Sequence, residues 1–147
     1  MNEAAERDEA AQGRTTVRVR YPETDRMGVA YHGHYLTWFE LGRTELMRGL
    51  GCTYADLEEH DGVFFPVVAL GARYRVPARY DELLRVDTKL VSVGASRVRF
   101  EYRLSRCDDE TLLATGFTEH ATVGRDGTAV RMPRNLRSTL LGQRSRG

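Results

Sequence analysis

The stretch YPETDRMGVAYHGHYLTWFELGRTELMRGL, residues 21–50, joins a polar loop to a helix, and the fold follows from what that helix must cover. Pro22 has no N–H to give to a sheet ladder, and Glu23, Thr24, Asp25 and Arg26, with Gly28 behind them, read as a loop. Then the period changes. Tyr35, Phe39, Gly42 and Leu46 recur at helical spacing, flanked by Leu36 and Met47, while Thr37, Glu40, Arg43, Thr44 and Arg48 lie mostly elsewhere. Gly49 and Gly51 end the pattern. A glycine inside a helix costs about 1 kcal/mol against alanine, so Gly42 on the apolar stripe predicts a close approach by another backbone, that of a sheet. Tyr35, Trp38 and Phe39 are expected in the core.

Upstream, residues 15–21 alternate, with Val17, Val19 and Tyr21 on one side and Arg18 and Arg20 on the other, which predicts a half-buried first strand. Residues 1–13 carry four acids and one Arg with almost no large apolar side chain, and are expected to form a loose acidic tail. Downstream, residues 53–59 read as a short second helix closed by Asp61 and Gly62, and residues 63–76 as a long extended run interrupted at Pro66. Leu84, Val86, Thr88 and Leu90 alternate with Arg85, Asp87 and Lys89; Val98, Phe100, Tyr102 and Leu104 alternate with Arg97, Arg99, Glu101 and Arg103. These are strands. Gly94 and then Asp108 to Glu110 supply turns, residues 111–123 a further strand, and Asp126-Gly127 the turn into a last short one. Residues 131–147 hold five Arg and no acid, with Leu136, Leu140 and Leu141 able to dock a short helix.

One strand, one long helix and then consecutive strands on short turns make an α+β domain, with a long central helix wrapped by an antiparallel sheet of five to six strands. The expected boundaries are residues 14–133 for the domain, with the acidic tail before it and a basic tail at 134–147. One helix leaves a sheet face and edges open, which predicts a homo-oligomer, a dimer at minimum and a tetramer by extension.

Length and charge narrow the function. A chain of 147 residues supports one core. With 22 basic and 21 acidic residues its net charge is +1, so neither nucleic acid nor an anionic membrane is the expected partner. No apolar run approaches the roughly 20 residues of a membrane span, and the acidic start lacks the pattern of a secretory signal. Cys52 and Cys107 stand alone and read as packing residues with reduced thiols, and a cytoplasmic location is expected. No phosphate-binding Gly-x-x-x-x-Gly-Lys, no Gly-x-Gly-x-x-Gly after the first strand, no His-Glu-x-x-His and no Gly-x-Ser-x-Gly occurs.

What remains is the loop, which sets Tyr21, Asp25, Tyr31, His32 and His34 within fifteen positions ahead of a helix N-terminus. Such a terminus carries unpaired N–H groups and about half a positive charge, able to stabilise a developing oxyanion. Asp25, seven residues before His32, can return as base or nucleophile. His32 and His34 form His-x-His, but no further Asp, Glu or His completes a metal-ligand spacing, so no metal is expected. His60 reads as a solvated helix end and His120 as a strand residue at an interface.

The pattern Tyr21-x-x-x-Asp25-x-x-Gly28-x-x-Tyr31-His32-x-x-Tyr35-Leu36-x-x-Phe39-Glu40-x-x-Arg43 resembles the signature of the 4-hydroxybenzoyl-CoA thioesterase-like acyl-CoA thioesterase family, which has the hotdog fold. Phe65-Pro66-Val67-Val68, followed by Arg73-Tyr74-x-x-Pro77-Ala78-x-Tyr80-Asp81, resembles it too, and the likeness spans roughly residues 15–130. It implies hydrolysis of an acyl-CoA or acyl-carrier-protein thioester, without a cofactor, at a site shared by two protomers. On that likeness Asp25 matches the catalytic carboxylate, His32 the position at the helix start that polarises the substrate, and Tyr21 a pocket wall. Tyr31, Gly33, Phe65 and Arg97 are expected to bind substrate, with Arg73, Arg75 and Arg79 as further candidates for the CoA phosphates. His34 departs from the pattern, where Asn is common. The chemistry suits the residues: a thiolate leaves readily, so a carboxylate and oxyanion donors suffice without a strong general acid. Two other readings differ in class: a hotdog enoyl-thioester hydratase or dehydratase, and a non-catalytic acyl-CoA or acyl-carrier binding module.

Overall fold

A computed structural model describes residues 11–142 of the protein. Its strands are β1 Gln12–Arg18, β2 Val67–Tyr74, β3 Leu83–Val93, β4 Arg97–Arg106 and β5 Leu112–Ala121, and its helices α1 His34–Gly49, α2 Tyr54–Asp56 and α3 Arg134–Leu140. The strands form one sheet in the order β1-β3-β4-β5-β2, with every pairing antiparallel. This is the α+β hotdog arrangement with five strands.

The alternation in β3 and β4 decides which face is apolar. Leu84, Val86, Thr88 and Leu90 are buried in β3 and Val98, Phe100, Tyr102 and Leu104 in β4, all toward α1, while the Arg, Asp and Glu residues between them face away. The helix answers with Tyr35, Trp38, Phe39, Gly42, Leu46 and Met47. Phe39 stacks on Tyr102 with centroids 4.6 Å apart and rings 8° from parallel. Each of these large side chains contributes about 1.5–3 kcal/mol by leaving water. Gly42 sits where α1 meets β3: a Cβ there would overlap Thr88 Oγ1 and lie 2.7 Å from Val86 Cγ1. The close approach is to the sheet as expected, but it is made by the side chains of Val86 and Thr88 and not by a backbone.

Four expectations shift. The first strand begins at Gln12, inside the segment expected to be a tail, and ends at Arg18, because Pro22 and the Arg20 N–H bond to Glu23 turn Tyr21–Glu23 into a 3₁₀ turn. Tyr21 therefore belongs to the loop and is exposed. The acidic tail over residues 1–10 and the end of the basic tail at 143–147 lie outside the described residues. The extended run after Val63 becomes a strand only at Val67, past Pro66; Phe64 makes a lone bridge to Val123, and Val123 another to Ala129 in place of a last strand. At the C-terminus, α3 buries Leu136 and Leu140, whereas Leu141 is 39% exposed. The short second helix forms, its start capped by the Thr53 hydroxyl accepting from the Asp56 N–H, and it continues as a π-turn over Leu57–Asp61.

Candidate active site

The loop between β1 and α1 is stitched from three sides. Thr24 and Ala30 form an isolated bridge, so residues 24–30 fold back on themselves with Asp25 beside the tip and Gly28 in the left-handed region at φ 75°. Val29 bridges Arg79, the Ala30 N–H donates to the Ala78 carbonyl and the Tyr80 N–H to the Gly28 carbonyl. From below, Glu23 is 4% exposed and accepts from the Arg20 N–H at 2.8 Å and from Trp38 Nε1 at 3.3 Å. A buried carboxylate thus pins the loop to the second turn of α1. Tyr35, also buried, accepts from the Ala78 N–H through its hydroxyl at 2.9 Å.

Asp25 is exposed and held by its own loop. Its Oδ1 accepts from the N–H of Met27 at 2.8 Å and of Val29 at 3.2 Å, while Oδ2 has no hydrogen bond among the described residues. One oxygen fixes the carboxylate; the other is free to take a proton or attack.

At the helix start the structure changes which donors count. The N–H groups of His34, Tyr35 and Leu36 are taken up by the carbonyls of Tyr31, His32 and Gly33, a tight first turn. The N–H groups of His32 and Gly33, just before α1, find no acceptor among the described residues. These are the donors left for a ligand. The His32 carbonyl accepts from the Tyr74 hydroxyl of β2 at 3.0 Å, and Tyr74 packs edge-on against Tyr35 at 4.8 Å. Tyr31 lies against His32 with ring centroids 4.3 Å apart and covers Gly33, where a Cβ would come within 2.7 Å of the Tyr31 ring. A shallow hollow of about 320 Å³ opens beside His32, walled by Val29, Tyr35, Tyr74 and Pro77.

So Asp25, Tyr31, His32 and Gly33 share one loop, with Tyr21 on its outer flank packed edge-on against Tyr80 at 5.8 Å. Phe65 and Arg97 do not join them. Arg97 pairs with Ala121 and Val67 with His120, whereas Tyr74 pairs with Ala114 and Leu104 with Ala114, so both residues sit at the opposite end of the sheet from the Tyr74 that touches His32. Of the further arginines, Arg75 lines the hollow beside His32 and Arg79 bridges the loop.

Sequence reasoning missed a polar chain in the core. His120, expected at an interface, is 1% exposed within the protomer. Its Nδ1 lies 2.9 Å from the Phe65 carbonyl and its Nε2 2.9 Å from Thr118 Oγ1; Thr118 Oγ1 lies 2.6 Å from the Tyr102 hydroxyl, and Arg43 reaches that hydroxyl at 3.5 Å. The direction of every bond follows. A carbonyl only accepts, so Nδ1 carries the proton; burial pushes the ring below the usual imidazole range, so it is neutral and Nε2 accepts from Thr118. Thr118 then accepts from Tyr102, and Tyr102 from Arg43. In the sequence the only sign was that Thr118 and His120 recur with the period of a buried strand face.

A helix laid on one face of a five-stranded antiparallel sheet, with a carboxylate loop ahead of that helix, defines the hotdog class of thioester-processing proteins. The chain belongs to the thioesterase-like superfamily, whose family model matches residues 19–140. It is 43% identical over 90 residues to the acyl-CoA thioesterase YbgC of Haemophilus influenzae, a match that covers 61% of this chain and 66% of that one. Against YneP of Bacillus subtilis the match covers 63% of the relative, so the chain spans about two thirds of the length of these curated relatives. A hypothetical protein, TT1821 of Thermus thermophilus, superposes with a TM-score of 0.81 at 38% identity, covering 88% of this chain and 95% of that one. A DHNA-CoA thioesterase of Staphylococcus aureus superposes with a TM-score of 0.77 at 35% identity, covering 82% and 80%.

Proposed function

We propose that the protein hydrolyses an acyl-CoA thioester to the free acid and CoA. The observation that carries this reading is the pairing, on one braced loop, of a fixed carboxylate with one free oxygen and of two N–H groups without acceptors. The thioester carbonyl accepts from the His32 and Gly33 N–H groups. The free oxygen of Asp25 takes a proton from the attacking water or attacks the carbonyl itself. The tetrahedral intermediate then collapses with departure of the CoA thiolate; with water as nucleophile this gives the free acid directly, and with Asp25 as nucleophile it leaves a mixed anhydride that water hydrolyses to the free acid and the Asp25 carboxylate. Membership of the superfamily and the names of the relatives support the same reaction class.

The working unit in this reading is a homo-oligomer of at least two copies. β2 is an edge strand, and Val67, Val68, Leu70 and Tyr74 along it are 40–50% exposed. Pairing two β2 edges about a two-fold axis covers them and completes their free ladder.

The test is release of thiol from a panel of acyl- and aroyl-CoAs by wild type and Asp25→Asn, with melting temperature and mass in solution recorded alongside. Wild type is expected to release thiol, and Asp25→Asn to be folded and slower by about 10²- to 10⁴-fold. Wild-type hydration of an enoyl-CoA without thiol release favours the hydratase reading, and binding without any turnover the non-catalytic one. A folded Asp25→Asn protein within about threefold of wild type removes Asp25 from the reaction.

A further inference from the structure

The peptide unit between His32 and Gly33 carries a free donor on one side and a doubly used acceptor on the other. A trans amide points its C=O and its N–H in opposite directions. In this unit the Gly33 N–H has no acceptor among the described residues, whereas the His32 carbonyl accepts from the Tyr35 N–H at 3.2 Å and from the Tyr74 hydroxyl at 3.0 Å. The first bond belongs to the tight turn that opens α1. The second comes from the end of β2, 42 residues further along the chain. Tyr74 is itself held: its backbone pairs with Ala114, and its ring packs edge-on against Tyr35, whose hydroxyl is tied to the Ala78 N–H. Burial of its covered side, with Tyr31 close by, holds the Tyr74 phenol above its usual range, so it keeps its proton and serves the carbonyl as a donor. Tyr74 and His32 both wall the hollow beside the helix start.

We infer that Tyr74 is a positioning residue for the donor at Gly33: by holding the His32 carbonyl, its hydroxyl fixes the peptide whose N–H meets the thioester oxygen. The inference rests on the thioesterase reading above and adds a residue that acts through the backbone. Two effects follow from the one bond. A peptide ahead of a helix rocks about its flanking dihedrals and swings its N–H with it; a carbonyl bonded to the sheet as well as to its own turn stops that swing. Donation to the carbonyl oxygen also draws electron density from the amide nitrogen, which makes the N–H a stronger donor, by about 10–30% for each bond in such a chain. Both effects count for more as charge builds on the thioester oxygen, so they favour the transition state over the bound substrate. The His32 N–H has no such support, since the carbonyl of its own peptide, that of Tyr31, accepts from the His34 N–H alone among the described residues. Deleting an oxyanion donor costs about 10²- to 10³-fold in rate; loosening one that stays in place should cost less, about tenfold.

The test removes the hydroxyl alone. Tyr74→Phe keeps the ring against Tyr35 and so keeps the fold, and 4-aminophenylalanine in place of Tyr74 returns a donor to the same position. Thiol release from an acyl-CoA that wild type cleaves is resolved into kcat and KM for all three proteins, with Tm and mass in solution alongside. A proton–nitrogen NMR spectrum follows the Gly33 amide, whose nitrogen shift responds to what bonds the carbonyl of its own peptide. Tyr74→Phe is expected to lower kcat about tenfold with KM within about twofold, and to move the Gly33 nitrogen resonance while those in the second half of α1 stay in place. The 4-amino variant is expected to return kcat to within about threefold of wild type. A bond that only ties β2 to the loop would instead lower Tm and leave the kcat of folded protein unchanged. A kcat for folded Tyr74→Phe within about twofold of wild type, or an equal loss in the 4-amino variant, overturns the role of Tyr74, while thiol release by wild type leaves the thioesterase reading standing. Wild type that releases thiol from no acyl-CoA overturns the thioesterase reading, and the role of Tyr74 with it.

Discussion

Gly42→Ala sets helix propensity against packing. In an unencumbered helix the change stabilises by about 1 kcal/mol. Here the new methyl overlaps Thr88 Oγ1 and comes within 2.7 Å of Val86 Cγ1. Neither neighbour can yield cheaply: Thr88 is 2% exposed, and Val86 is fully buried on a strand paired to Thr15 on one side and Leu104 on the other. Overpacking of this kind costs about 1–3 kcal/mol. Against the propensity gain of about 1 kcal/mol this leaves a net loss of up to about 2 kcal/mol and, for a chain of this size, a fall in Tm of up to about 8 °C. Thermal and urea unfolding at one fixed protein concentration measure it, since association shifts apparent stability. Val86→Ala makes room for the new methyl, so in a double-mutant cycle the pair should lose less than the two single changes together, by about 1 kcal/mol. A Tm for Gly42→Ala at or above wild type would refute the reasoning, because propensity alone would then describe the site.

Three further outcomes are expected. Glu23→Ala orphans the Arg20 N–H and Trp38 Nε1 together, and should cost about 2–4 kcal/mol in denaturant unfolding while thiol release falls with it; Glu23→Gln, which keeps an acceptor, should lose less. Burial lowers the His120 pKa from 6.5, so the unfolded chain binds the proton more readily than the folded one; the stability it contributes is complete above about pH 6.5 and is lost as pH falls below it, and a His120→Gln protein should lack that part of the slope in unfolding measured from pH 7 to pH 5. Gly33→Ala drives the Tyr31 ring from its seat beside two free N–H groups; kcat/KM for thiol release should drop about tenfold with Tm nearly unchanged, and Tyr31→Ala in the same chain should restore much of it.

Most of the fold was legible because it rests on periodicity. Thr88 and Tyr102 were placed inward by alternation alone, and Gly42 announced a close contact by being a poor helix former on the buried stripe. The first strand ran ahead of its true end because Val19 and Tyr21 continue the alternation, and only the hydrogen bond between residues 20 and 23 turns Tyr21 out of register. In the candidate site, Asp25, His32 and Gly33 are neighbours along the chain, so the sequence alone brings them onto one loop. Glu23 looked like one more polar loop residue, since nothing local says that Trp38, fifteen residues later, will seek its carboxylate. The chain through Arg43, Tyr102, Thr118 and His120 was invisible for the same reason. It joins a helix, two strands and a loop that meet only when the sheet closes, and single-sequence patterns carry no information about such meetings.

The division of polar groups between the two ends of β2 bears on the proposal that the protein works as a homo-oligomer. At the Tyr74 end a hydroxyl holds the carbonyl of His32, beside the two unpaired N–H groups and the free oxygen of Asp25. At the Val67 end lie Phe65 and a cavity of about 450 Å³ walled by Arg43, Tyr54 and Val123. The strand between them exposes Val68 and Leu70 on an open edge. A monomer leaves that apolar strip and the free ladder of β2 open to water. A two-fold antiparallel pairing of β2 edges would cover both at once: it would hide the apolar strip, complete the ladder, and set the Tyr74 end of one copy beside the Val67 end of the other. Lys or Pro substitutions along the edge, such as Leu70→Lys, should therefore reduce mass in solution and thiol release together, although residue 70 touches neither Asp25 nor the cavity wall. A Leu70→Lys protein that is monomeric yet hydrolyses at the wild-type rate would show that each copy carries a whole site.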